Sequence, residues 1–62
     1  MTEDQREKIR DKINELKGEL KQVNFYLSAD QKIHFSPSQL TVYRRRRNLL
    51  KAAIRSFEKY LE

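Results

Sequence analysis

Phe35-Ser36-Pro37-Ser38-Gln39-Leu40 is the stretch that decides the fold. Ser36 can cap the free amide of Gln39 and Gln39 can reach back to Ser36, while Pro37 takes the first helical position, where its missing N–H costs nothing. Phe35 before the cap and Leu40 after it have the spacing of a hydrophobic staple. A helix therefore starts here, and whatever precedes it is a separate element. This second helix is predicted to run from Pro37 to about Leu61.

Upstream, the apolar residues fall at Ile9, Ile13, Leu16, Leu20, Val23 and Leu27, with alternating spacings of four and three. That is an a/d seam over nearly three heptads, a period no strand produces. Thr2, followed three residues later by Gln5 with Glu3 and Asp4 between, supplies an N-cap and acids at the positive end of the helix dipole. The spacing predicts a first helix from about Glu3 to Leu27 or Ser28, and residues 29–36 as the loop. The second helix repeats the seam with Tyr43, Leu50, Ile54, Phe57 and Leu61, and Arg47 fills its one position that is not apolar.

Two helices of similar length joined by a short loop make an all-α antiparallel hairpin. A second apolar row on the later helix, Val42, Leu49, Ala53 and Tyr60, makes its greasy face wider than one neighbour requires. Phe25, Tyr26, Ile33 and Phe35 near the bend are likewise expected to be only partly covered. A homodimer in which two hairpins form a four-helix bundle would bury both sets, with Leu49 joining the seam.

Size points the same way. A chain of 62 residues without cysteine is one domain that lacks the disulfides with which small folds commonly make up a thin core. The lone His34 cannot hold a metal by itself. Charged residues make up 37% of the chain and the mean hydropathy is −0.96, a balance suited to solvated helices. Disorder is the competing reading, and the strict apolar period argues against it. No apolar run approaches a membrane span or the core of a signal peptide, and the first residues are acidic, so a cytoplasmic protein is expected.

The net charge of +5 is unevenly spread. Through Ser28, six cations balance six anions, whereas the second helix carries seven cations against Glu58 and Glu62. Arg44, Asn48, Lys51 and Arg55 recur at steps of four, three and four and share one side of that helix, with Arg45 alongside and Arg46 next to it. Three readings stand. The row is solvated or pairs with acids of the first helix, where the hairpin brings Glu19 close to Arg46 or Arg47. It docks on an acidic protein surface. Or it follows a nucleic-acid backbone, with Asn48 facing a base edge.

Other residues are weighed in the same way. Arg47 is expected to snorkel out of the seam, with a register-setting role as the alternative. Gly18 is either tolerated drift or a point of close approach. The aromatic bend either caps the end of the bundle or forms a partner patch. No nucleophile has a neighbouring base, and there is no glycine-rich phosphate loop or metal-ligand cluster. Catalytic, cofactor-binding and metal-binding residues are therefore not expected, nor is a small-molecule substrate. A second helix lying on anionic membrane is set aside because the seam of the first helix calls for another helix.

The segments NFYLSADQ (Asn24 to Gln31), FSPSQL (Phe35 to Leu40) and YRRRR (Tyr43 to Arg47) resemble the small helical accessory proteins of lambdoid temperate bacteriophages, of the type found in the exo–xis region. The resemblance covers about the central third of the chain. It implies a modulator of phage development or host regulation that binds a host or phage protein in the bacterial cytoplasm, without catalysis. In general form the expected bundle also looks like the dimeric helical hairpins that control plasmid copy number by binding RNA. Only the architecture is shared, so RNA binding does not transfer.

Overall fold

The computed structural model describes residues 2–62. Helix α1 spans Glu3–Tyr26, a single 3-10 turn spans Lys32–His34, and helix α2 spans Pro37–Lys59. Both helices start where the sequence places them. Gln5 N–H donates to Thr2 Oγ1 while Thr2 N–H donates to Gln5 Oε1, and Ser36 and Gln39 exchange the same pair of bonds. Each reciprocal cap satisfies two amides that a helix end otherwise leaves to water.

The helix ends differ from expectation by one to two residues. At the end of α1, Ser28 N–H and Ser28 Oγ both donate to the Phe25 carbonyl, so the serine side chain competes for the acceptor and the chain leaves the helix after Tyr26. At the end of α2 the bonding tightens, with Tyr60 N–H on Phe57 O and Leu61 N–H on Glu58 O. The connection is thus residues 27–36 and holds its own short turn, made by His34 N–H on Gln31 O and Phe35 N–H on Lys32 O.

Three contacts fix the relative direction of the helices. Arg6 reaches the Leu61 carbonyl, Glu19 meets Arg46, and the Tyr26 ring lies against that of Tyr43. As one number rises the other falls, so the helices are antiparallel and the molecule is a helical hairpin of 46 × 15 × 13 Å.

The core is the shared seam. Ile13, Leu16 and Val23 of α1 pack with Leu50 and Ile54 of α2 as its buried residues. Ile9, Leu20, Leu27, Tyr43, Ala53, Phe57 and Leu61 border it, half-covered. Leu49 does not belong to this seam: it is 60% exposed, because it lies a quarter-turn from the line of Leu50 and Ile54. Ala53, from the same outer row, does lean partly onto the core. At the bend, Tyr26, Phe35 and Tyr43 stack mutually with ring centroids 5.1–5.7 Å apart, closing that end of the hairpin.

Candidate binding surfaces

The long sides of the hairpin differ sharply in chemistry. At about 3.6 residues per turn, Val42, Arg46, Leu49 and Ala53 of α2 fall on one flank of the seam. Arg44, Lys51 and Arg55 fall on the other, with Asn48 towards the outer surface.

On the first flank Val42 (64% exposed), Leu49 and Tyr60 stand open to solvent. Among them Arg46 is already occupied: its guanidinium donates to Glu19 Oε2 at 2.8 Å. Of the predicted partner-binding residues, Arg46 is thus the one drawn into an intramolecular pair, and that pair neutralises the only charge within the apolar row of α2. The α1 side of this flank carries Lys8, Glu15, Glu19, Gln22 and Lys12, the last paired with Glu15.

On the opposite flank, Arg44, Lys51 and Arg55 are exposed, as are Arg45 and Asn48 further round α2. None of the four cations has a salt-bridge partner among the described residues, where the ion pairs are Arg46–Glu19 and Lys12–Glu15. Arg47, at the border of this flank, is half-buried, and its Nε is shut off from solvent without a hydrogen-bond partner. The expected snorkelling is therefore incomplete. Arg6 holds a similar place on α1, its Nη2 on the Leu61 carbonyl at 3.3 Å and its Nε buried without a partner.

A groove along the same flank is bordered by Arg10 and Lys17 of α1 and by Glu58 and Leu61 of α2. Glu58 lies one turn beyond Arg55, so Arg10 and Lys17 stand on the side that carries the cations of α2. The equal charge count of the first helix conceals this. The readable signal is the spacing of Arg10, Lys17 and Lys21, seven and four residues apart, which aligns them on one side of α1.

Compared with protein-family models, curated proteins and solved structures, the chain matches none. The bend adds a third exposed feature. Phe25 (56% exposed) and Ile33 (76%) project from it, beside the three rings that close the end. Phe25 also lines a shallow hollow on the outer side of α1 with Gly18, Lys21 and Gln22. Among the described residues there is no cluster of metal-ligating side chains and no helix long and apolar enough to cross a membrane.

Proposed function

We propose that this chain is a small non-enzymatic regulatory or adaptor protein that acts by protein–protein binding, and that its first partner is a second copy of itself. The observation that carries this reading is the open apolar row of Val42, Leu49 and Tyr60. A side chain of that size gains about 1.5–3 kcal/mol when it leaves water, so three in a row along one flank make a strong association surface.

The surface area supports a second copy as the occupant. The chain exposes 5040 Å², whereas a globular chain of 7.5 kDa is expected to expose about 4,250 Å². The excess of about 800 Å² comes with the elongated 46 × 15 × 13 Å shape and leaves enough surface for one side of a standard protein interface. Two hairpins packed flank to flank bury the apolar rows against each other in a four-helix bundle. They also take in the Arg46–Glu19 pair as a neutral unit. The exposed Phe25 and Ile33 at the bend would then serve a further protein partner. A role in phage development rests on the resemblance of the central segments alone.

Sedimentation equilibrium at tens of micromolar tests the reading. The wild type should sediment at twice the 7.5 kDa chain mass, and Leu49→Glu should return it to a helical monomer. A wild-type monomer at that concentration, or a Leu49→Glu dimer as stable as wild type, would reject it.

A further inference from the structure

We infer that the flank opposite the apolar row is a double-stranded DNA backbone site built from both helices. Its rows are Arg10, Lys17 and Lys21 on α1 and Arg44, Lys51 and Arg55 on α2. The antiparallel pairing that sets Glu19 against Arg46 and Arg6 against Leu61 places Lys21 level with Arg44, Lys17 level with Lys51, and Arg10 level with Arg55. Six cations thus form three rungs over twelve residues of each helix, a length of about 16 Å at 1.5 Å per step. Glu58 is the acid bordering them.

Such an arrangement is self-repelling in the free protein: Glu58 offsets it at one end, but none of the six is ion-paired among the described residues. A polyanion would relieve it, and the shape of the flank selects among polyanions. Protein interfaces are anchored by aromatic residues and arginine and depleted in lysine at their centre, and three of these six cations are lysines. Here the exposed Val42, Leu49 and Tyr60 all lie on the other side. Single strands are held by stacking on aromatic faces; Tyr26, Phe35 and Tyr43 are committed to one another, and the exposed Phe25 sits on the outer side of α1 beside Lys21 and not between the two rows.

A duplex asks only for two rows of positive charge at the spacing of its backbones. Helix axes in contact lie about 8–10 Å apart, and side chains diverging from the seam set the rows roughly 10–15 Å apart. That spans the B-form major groove, about 12 Å wide, whereas the A-form major groove is narrow and closes between the rows. With a cross-section of 15 × 13 Å, the hairpin straddles the groove instead of entering it. Binding is therefore to phosphates and indifferent to sequence. This inference does not depend on self-association, because either a monomer or a flank-to-flank dimer leaves the basic side open.

Fluorescence anisotropy with a random-sequence 20-base-pair DNA duplex, titrated from 50 to 200 mM salt, tests it. Six neutralised phosphates give a slope of log K against log salt of about −5, a loss on the order of 10³-fold across that range. The double variants Lys17→Glu/Lys21→Glu on α1 and Arg44→Glu/Lys51→Glu on α2 should each weaken binding at least tenfold at 50 mM and flatten the slope by about 2. Lys8→Glu/Lys12→Glu makes the same charge change on the other flank of α1 and should leave the slope in place. Circular dichroism confirms that each variant remains helical, and the wild-type slope needs no variant. Absence of binding at 50 mM would overturn the inference, as would an α1 double variant no weaker than the Lys8/Lys12 control. So would tighter binding to duplex RNA or to phosphatidylserine vesicles than to the DNA.

Discussion

Arg46 and Glu19 meet across the hairpin at 2.8 Å, 27 residues apart in sequence, with about half of each side chain open to solvent. Their pairing follows from the register that the seam sets between α2 and α1, and it silences the one cation that would otherwise interrupt the apolar row of α2. Exposed ion pairs contribute little because water and salt screen them. A double-mutant cycle with Arg46→Ala and Glu19→Ala, read by urea unfolding, should therefore give a coupling of about 0.5 kcal/mol that shrinks as salt rises. The charge-swapped pair Arg46→Glu/Glu19→Arg should recover most of it. A coupling well above 1 kcal/mol would mean that the pair is buried in the protein's working state, as the proposed dimer requires at high concentration. The cycle should therefore be run both below and above the association midpoint.

The core is thin enough for one residue to decide folding. Leu50, 3% exposed, is the most deeply buried of the five core residues, and Leu→Ala at such sites costs about 2–5 kcal/mol. A core of this size supplies only about 3–5 kcal/mol in total. Leu50→Ala should accordingly lose most of its helical circular dichroism at 25 °C and low micromolar concentration. A cooperative unfolding transition within 1 kcal/mol of wild type would show that the seam contributes less than its burial implies.

Much of this hairpin could be read from the chain because its signals are local. The caps at Thr2 and Ser36 each need only two side chains three residues apart, and the seam from Ile9 to Leu27 is set by a period that one helix enforces on its own. Two features escaped for the opposite reason. The turn at Lys32–His34 is held by backbone bonds alone, which leave no mark in side-chain pattern. The company that Arg10 and Lys17 keep with the cations of α2 depends on which side of the seam each residue takes once the helices are antiparallel. Counting charge along α1 gives zero and hides the segregation; the spacing of Arg10, Lys17 and Lys21 shows its α1 half, and the paired structure shows that this half joins the cations of α2. Leu49 is the opposite case: helical spacing alone sets it in the outer row with Val42, and it is exposed in the hairpin.

Gly18 sits within α1 without positive φ, and a Cβ built there meets nothing within 4 Å. Its absence of side chain serves no contact inside the hairpin, while glycine in a helix costs about 0.8–1.0 kcal/mol relative to alanine. Gly18→Ala should raise the free energy of unfolding by close to that amount. Because Gly18 faces away from the seam and from the Val42–Leu49 flank, the variant should leave the sedimentation mass unchanged. A fall in association with intact helicity would instead make Gly18 a point of close approach between copies.

Arg47 is the residue whose chemistry fits its place least. It occupies a seam position between Tyr43 and Leu50, and its Nε is buried with no acceptor, a state that forfeits about 1–3 kcal/mol of solvation. Methionine fills a similar length of seam with a flexible apolar chain and carries no donor. Arg47→Met should therefore be neutral or stabilising by about 1 kcal/mol in urea unfolding, whereas Arg47→Ala should destabilise by removing the packed stem as well as the charge. The two substitutions delete the same charge, so a difference of sign between them separates packing from electrostatics. If both destabilise equally, the guanidinium finds an acceptor in solution and Arg47 fixes register through it. If Arg47→Met also broadens the sedimentation profile into several species, the buried polar group limits how the hairpins associate, which is the best-attested use of a charge at a seam position.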